Sequence, residues 1–254
     1  MMFQDRVDAG RRVAAKLAEY RGRGDVLVLG IPRGGVGVAY EVARALHVPL
    51  DVFLSRKLGV PGQEELAFGA VASGGIRVLD PDLIRELDIS DAEIERITQK
   101  AKTELERRER AFRGDRPALD VAGRTVILVD DGIATGASMM AAIKTLRQMR
   151  PAKLVLAVPV APASTCKRLR EQVDDLICVH APERFYAIGQ FYSDFTQVSD
   201  EEVIELLRRA ASAETEQRGS KTRGGGAGGE DDSVVDEASR ESFPASDAPG
   251  WIEN

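Results

Sequence analysis

Two adjacent carboxylates and a loop of small residues share one short stretch of the chain, VILVDDGIATGAS, residues 126–138. Four apolar residues precede Asp130 and Asp131, which is typical of a buried strand that ends at the acids. The glycine, alanine, threonine and serine that follow lead into a helical pattern. Carboxylates and unpaired main-chain N–H groups should therefore lie side by side, a combination that suits a ligand with hydroxyl groups and an anionic group.

The loop suits a phosphate and the acids suit a diol. At a strand-to-helix turn, backbone N–H groups, hydroxyls and the positive end of the helix dipole can surround a phosphate without a lysine. Two neighbouring ribose hydroxyls can each donate to a carboxylate, as ribose does to an acidic residue in dinucleotide folds. The stretch thus predicts a cradle for a ribose 5-phosphate, whose phosphate would be bound by Thr135, Gly136, Ala137 and Ser138.

Three other interpretations of the same region compete with this one. Apolar residues before Asp-Asp also occur on the magnesium strand of NTPases, but no GxxxxGK[ST] precedes them. The segment GGVGVAY, residues 34–40, lacks the third glycine of a dinucleotide fingerprint. In the third interpretation, the two acids are simply the polar end of a strand. That interpretation does not explain why a loop suited to phosphate follows them.

Apolar runs alternate with helical patterns along residues 1–212, which predicts an α/β fold with an open, mostly parallel twisted sheet of about five strands and helices on both faces. A helical insertion over 80–114 interrupts this alternation. Asp80 and Pro81 have N-cap and N1 chemistry, and Ser90 with Glu93 forms a capping box. After it, strands are predicted at 125–130, 153–159 and 175–179, helices at 137–149 and 163–173, and a last helix from Ser199.

The negative charge of the chain is concentrated at its C-terminal end. Residues 213–254 hold ten acidic and four basic residues, which accounts for the net charge of −6 and leaves 31 of each sign in residues 1–212. This end is Gly-rich and then acidic, so it predicts a flexible tail beside one domain over 1–212. A neutral domain lacks the basic surface typical of proteins that bind nucleic acid or anionic membranes.

The chain shows no sign of export or membrane insertion. Its start lacks the apolar segment of a signal peptide, and its longest apolar stretch is too short to span a bilayer. Its two cysteines match no metal or redox spacing. We therefore expect a cytoplasmic protein without nucleic-acid or membrane partners.

The stretch VILVDDGIATGAS resembles the PRPP-binding motif of type I phosphoribosyltransferases. IPRGG, LSRKLG and ELAFGAVASGG resemble a bacterial branch of that family whose acceptor is unassigned, and the resemblance covers about residues 1–210. It implies that Asp130 and Asp131 hold the ribose hydroxyls and that Ala134 and the four residues after it hold the 5-phosphate. It also implies the Rossmann-like type I fold, PRPP as substrate and a homodimer.

The resemblance further implies where pyrophosphate would leave. IPRGG would be the pyrophosphate loop, with Arg33 and the N–H groups of Gly34 and Gly35 as contacts and a non-proline cis peptide near Arg33. Arg56 and Lys57 are expected to add positive charge, and the polar loop over 58–65 is expected to close over PRPP.

The implied catalytic residues are the two acids with Arg33 and Lys57. Mg²⁺ would be held mainly by oxygens of PRPP and water, with no direct protein ligand, although Asp130 or Asp131 could contact it through water.

The acceptor is the least determined part. Family enzymes for hypoxanthine and guanine carry an acid where this chain has Ala134, so the small residue looks more like the adenine or orotate enzymes. Four aromatic residues in a late loop, Phe185, Tyr186, Phe191 and Tyr192, could stack on a base or belong to the core.

We therefore expect transfer of the 5-phosphoribosyl group from PRPP to a nitrogen acceptor, such as a nucleobase, with release of pyrophosphate. A PRPP-sensing regulator that has lost transfer is the alternative. An interaction module that binds through its acidic tail is a third.

Overall fold

The fold consists of eight strands and seven α-helices within the residues described by a computed structural model, 2–114 and 116–223. The strands are β1 (Val26–Gly30), β2 (Leu50–Val52), β3 (Ser55–Val60), β4 (Gln63–Ala72), β5 (Ile76–Leu79), β6 (Thr125–Val129), β7 (Lys153–Val160) and β8 (Asp175–His180). The helices are α1 (Arg6–Ala15), α2 (Gly34–Leu46), α3 (Pro81–Glu86), α4 (Asp91–Arg113), α5 (Ala137–Gln148), α6 (Ala163–Arg170) and α7 (Asp200–Arg223). None of these helices is long and apolar enough to cross a membrane.

Five strands form one parallel sheet in the order β2-β1-β6-β7-β8. Every residue of β1 and of β6 is buried, as expected of parallel strands that are covered by helices on both faces. Two apolar clusters lie on the two sides of this sheet, one with α1 and α2 and the other with α5 and α6. The predicted α/β fold class is confirmed.

A separate three-stranded antiparallel sheet, β3-β4-β5, follows β2. It corrects one expectation, since residues 58–65 do not form a polar loop but the end of a hairpin whose turn lies at Pro61 and Gly62. Leu58 and Val60 are buried, and Gly62 has a φ of 76°. The alternation of buried and exposed residues along this segment is a strand pattern, which outweighs its turn-forming residues.

The helical insertion is present as predicted. Asp80 accepts a hydrogen bond from the N–H of Leu83, and Ser90 and Glu93 form both halves of a capping box. The apolar stripe of α4 packs on the antiparallel sheet and the edge of the main sheet, with Ile94, Ala101, Leu105 and Phe112 buried.

A buried ion pair fastens the end of α4 to the main sheet. The guanidinium of Arg113 donates to Asp51 of β2 at 3.0 and 3.1 Å and to the carbonyl of Pro117 at 2.6 Å. The side chain of Arg113 is 7% exposed and that of Asp51 is 14% exposed. The insertion is thus tied to the edge strand that precedes the hairpin.

The last helix extends past the predicted domain boundary at 212. Helix α7 begins at Asp200, one residue after the expected start, but continues to Arg223. The carboxylate of Glu214 accepts a hydrogen bond from the N–H of Leu50 at 3.2 Å. Residues 213–223 therefore belong to a helix rather than to a tail, and the rest of the predicted tail, 224–254, lies outside the described residues.

We predict that Arg113→Met lowers the free energy of unfolding by roughly 3 kcal/mol, because Asp51 would be left as a buried charge without its main partner. Arg110→Met is the matched control on the same helix, since the side chain of Arg110 is 81% exposed, and it should change stability by less than about 0.5 kcal/mol. Urea denaturation measures both. Equal effects of the two substitutions would contradict the anchoring role of Arg113.

Candidate functional site

The two Gly-bearing loops meet at the carboxyl edge of the parallel sheet. Strands β1 and β6 are neighbours in register, with Gly30 opposite Val129, and the N–H of Ile31 donates to the carbonyl of Val129 at 2.9 Å. The loop after β1 therefore starts beside the acids that follow β6. In open α/β sheets, ligands bind at this edge.

The backbone of Gly34 and Gly35 lies directly against the two acids. A Cβ added at Gly34 would overlap the Oδ2 of Asp131, and one added at Gly35 would lie 2.9 Å from the Oδ1 of Asp130. Only glycine fits at either position. The backbone of the first turn of α2, which includes its N–H groups, therefore packs directly against the two carboxylates.

Asp130 and Asp131 are close to each other and shielded from water. Asp131 is 8% exposed and Asp130 is half-buried, while the N–H of Asp131 donates to the Oδ1 of Asp130 at 2.9 Å. Burial, followed by repulsion from Asp131, raises the pKa of Asp130 well above its usual range. Burial also raises the pKa of Asp131, against the opposing effect of Arg6.

Arg6 supplies the counter-charge, and sequence reasoning missed it. Its Nε donates to the Oδ2 of Asp131 at 2.9 Å, its Nη1 donates to the carbonyl of Thr196 at 2.7 Å, and its guanidinium lies 4.2 Å from the centre of the Phe195 ring. Arg6 and Asp131 are 125 residues apart in the chain. No local sequence pattern predicts that these two residues are partners. The sequence offers one general indication, which is that two adjacent buried carboxylates need a cation nearby.

The predicted phosphate loop stands at the start of a helix. Helix α5 begins at Ala137, and Gly136 before it has a φ of 79°, a left-handed conformation that favours glycine. The hydroxyl of Thr135 is 3.5 Å from the N–H of Ala137. Ala134, Thr135 and Ser138 are exposed, so a phosphate can reach the N–H groups of the first turn, which have no acceptor within the helix.

The predicted pyrophosphate loop has the expected cis peptide, which joins Pro32 to Arg33. The side chain of Arg33 lies 3.8 Å from the carboxylate of Asp200 at the start of α7. The structure thus gives Arg33 a partner on α7, whereas the neighbouring glycines face the acids.

Arg56 and Lys57, which were expected to add positive charge, lie in β3 on opposite faces, because side chains alternate along a strand. Arg56 lines a cleft with Pro32 of the pyrophosphate loop and with Glu104 and Arg108 of α4. Alternation directs Lys57 to the other face of the hairpin, which packs on α5. The insertion helix therefore forms one wall of a charged cleft beside the predicted pyrophosphate loop.

The aromatic residues of the late loop differ in how far they are exposed to solvent. Phe191 is 8% exposed and its ring centre lies 5.4 Å from that of Phe185, so both pack with the core. Tyr186 is 86% exposed. Tyr192 has a structural contact with the site, since its hydroxyl donates to the main-chain carbonyl of Asp131 at 2.6 Å. Stacking on a base by Phe185, Tyr186 or Phe191 stays a prediction.

The model of the phosphoribosyl transferase domain family matches residues 3–196. The chain belongs to the phosphoribosyl transferase family. This match covers both glycine loops, the acid pair and the helical insertion, and Arg6 lies within it. The resemblance of the motif at 126–138 is therefore confirmed by the whole domain.

Two relatives support the assignment. A Mycobacterium tuberculosis protein, whose name assigns it provisionally as a phosphoribosyl transferase, is 47% identical over 209 residues, which are 82% of this chain and 47% of that protein. The chain thus spans about half the length of this curated relative. The crystal structure of TT1426 from Thermus thermophilus shares 43% sequence identity, covers 82% of this chain and 99% of its own, and has a TM-score of 0.75.

We predict that Gly34→Ala abolishes binding of a ribose phosphate and lowers stability, because the new methyl group must displace Asp131 and its ion pair. Gly37→Ala is the matched control on the same helix, since its Cβ would lie 3.5 Å from the Cβ of Arg6, an ordinary contact. The control should keep binding and gain up to about 1 kcal/mol of stability from helix propensity. Isothermal titration and urea denaturation test both, and retained binding in Gly34→Ala would contradict the packing.

We predict that Asp130→Asn stabilises the fold at neutral pH. A carboxyl with a raised folded-state pKa destabilises the protein once it ionises, so the loss is complete above the folded pKa and vanishes below the unfolded pKa. The amide oxygen can still accept from the N–H of Asp131. Urea denaturation should show a gain over the wild type near about pH 8 that shrinks towards about pH 4, whereas lower stability at every pH would contradict the burial of this charge.

Proposed function

We propose that this protein transfers the 5-phosphoribosyl group of PRPP to a nitrogen acceptor and releases pyrophosphate. The observation that supports this most is the contact of two adjacent carboxylates, one buried and one half-buried, with the backbone of a glycine loop, a few residues before the start of a helix. The helix start suits the 5-phosphate, the acids suit the ribose hydroxyls, and the glycine loop suits the pyrophosphate. A single PRPP molecule carries these three groups in that order.

In the proposed mechanism, opposite charges develop on the ribose and on the leaving pyrophosphate. As the bond from the anomeric carbon to pyrophosphate breaks, positive charge develops on the ribose and negative charge on the leaving group. Asp130 and Asp131 would stabilise the ribose, which is an effect of preorganised charge. The N–H groups of Gly34 and Gly35 would donate to the leaving pyrophosphate, together with the cations Arg33 and Arg56, whereas Lys57 lies on the other face of the hairpin.

Arg6 has a defined place in this proposal. It engages the Oδ2 of Asp131, and a carboxylate has further lone pairs on its second oxygen that can accept from a ribose hydroxyl. A guanidinium beside the acid lowers its pKa and so favours the ionised form, against the opposing effect of burial. Arg6 would thus maintain the charge that the transition state requires without contacting the reacting carbon.

Magnesium fits the chemistry of the site. Mg²⁺ prefers oxygen ligands and is usually bound through one or two carboxylates with substrate phosphates and water, and Asp130 and Asp131 offer such oxygens next to the proposed ribose. The ion would neutralise charge on the leaving pyrophosphate. Within the described residues no cluster of three or more metal-binding side chains occurs, so the substrate would supply most ligands.

We propose a nucleobase as the class of acceptor and the cytoplasm as the location of the reaction. Ala134 leaves space beside the phosphate loop but provides no acid to move a proton on a purine ring. The exposed ring of Tyr186 is available for stacking, whereas Phe185 and Phe191 would have to leave core contacts. The missing acid is also what favours the alternative, a PRPP-sensing regulator without transfer activity.

One assay tests the proposal. The protein is incubated with PRPP, Mg²⁺ and a panel of purines, pyrimidines and amines, and pyrophosphate release is followed. We expect release with at least one acceptor and a loss of about 10²-fold or more in the variant with both Asp130→Asn and Asp131→Asn, as for removal of other preorganised charge. Lys16→Gln, an exposed residue of the first helical segment, is the control and should be unaffected.

Two outcomes would overturn the proposal. Saturable PRPP binding without release for any acceptor would favour the regulator. Failure to bind PRPP at all, with the fold intact, would refute the assignment of the site.

A further inference from the structure

Helix α6 holds the phosphate loop through two side chains that donate to consecutive main-chain carbonyls. The hydroxyl of Thr165 donates to the carbonyl of Ala134 at 2.9 Å, and the guanidinium of Arg168 donates to the carbonyl of Thr135. Residues three apart lie on one face of a helix, so both carbonyls point towards α6. Thr165 is only 4% exposed, and Arg168 is exposed.

These two contacts fix the direction of two N–H groups. In a trans peptide the C=O and the N–H point in opposite directions, and the only cis peptide within the described residues joins Pro32 to Arg33. The N–H groups of Thr135 and Gly136 belong to the same peptide units as the two held carbonyls. They therefore point away from α6, to the side where the loop is exposed.

The same face of α6 also packs against the turn itself. A Cβ added at Gly136 would lie 3.0 Å from the Cγ2 of Thr165 and 3.3 Å from the Nη2 of Arg168. The left-handed glycine thus sits directly on these two side chains. The conformation of the loop is supported from one side by residues that come much later in the chain, as the spacing of 31 residues from Ala134 to Thr165 shows.

We propose that Thr165 and Arg168 are positioning residues that preorganise the main-chain N–H groups of the phosphate loop for the 5-phosphate of the substrate. This inference rests on the proposed function, because it assigns the anion of a ribose 5-phosphate to this loop. Without the two contacts, the peptides that follow Ala134 and Thr135 can rotate, and their N–H groups must be reoriented when the phosphate binds. That reorientation costs binding free energy.

The test separates the two ends of the substrate by two probes, ribose 5-phosphate and inorganic pyrophosphate, whose dissociation constants are measured by isothermal titration. Thr165→Val keeps the shape of the side chain but removes the donor, and Thr165→Ser keeps the donor. Arg168→Met removes the second donor from an exposed position, where the fold is not at risk. Lys167→Met, exposed on the same helix, is the matched control.

We expect the Kd for ribose 5-phosphate to rise about tenfold in the variant with both Thr165→Val and Arg168→Met, the loss of roughly one net hydrogen bond. The Kd for pyrophosphate should change by less than about twofold, since the glycine loop is untouched. Thr165→Ser and Lys167→Met should bind both probes as the wild type does. A general structural defect would weaken both probes together and lower Tm.

Unchanged affinity of the double variant for ribose 5-phosphate, with normal binding by the wild type, would overturn the positioning role alone. Equal weakening for both probes would also overturn it. A wild-type protein that binds pyrophosphate but no ribose 5-phosphate would instead overturn the proposed function, and this inference with it.

Discussion

The structure depends on holding two carboxyl groups side by side where water is scarce. Asp130 and Asp131 are placed at the end of a buried strand, against a backbone that leaves room for no side chain. Such an arrangement is unfavourable for the folded chain alone, because burial and mutual repulsion oppose ionisation. Arg6 offsets part of this cost through its ion pair with Asp131. Functional sites commonly carry destabilising features of this kind, which the rest of the fold compensates.

The remainder of the molecule can be understood as support for that pair. The parallel sheet brings the ends of β1 and β6 together, so that one loop delivers glycine backbone to the acids and the other begins a helix next to them. Helix α1 carries Arg6 across to Asp131, and the segment before α7 holds Arg6 through Thr196 and Phe195. Helix α4 lines a cleft beside Pro32 of the proposed pyrophosphate loop. Each of these elements reaches the site from a different part of the chain.

The features that the sequence predicted well depend on residues that are close together in the chain. The apolar run before the acids, the turn glycines and the helix caps at Asp80 and Ser90 each depend on residues a few positions apart, and each was found where expected. The motif at 126–138 combined such signals and led to the correct fold and family. The hairpin strands occupy most of the polar loop predicted at 58–65, because its proline and glycine obscure the alternation of Leu58 and Val60.

What the sequence did not predict depends on contacts between distant residues. The pairing of Arg6 with Asp131 and the contacts of Thr165 and Arg168 with the phosphate loop join residues that only the fold brings together. An arginine in an amphipathic first helix and a threonine near the start of α6 have no local pattern that distinguishes them from surface residues. The continuation of α7 past 212 has no clear local signal, because the charge and glycine content that follow are typical of a flexible tail.

The most direct test of the central claim is a crystal structure of the protein with ribose 5-phosphate and Mg²⁺ bound. The account predicts the phosphate at the N–H groups that begin α5 and the two ribose hydroxyls on Asp130 and Asp131, with Arg6 still in contact with Asp131. A sugar phosphate bound elsewhere, or one whose hydroxyls avoid both acids, would contradict the account.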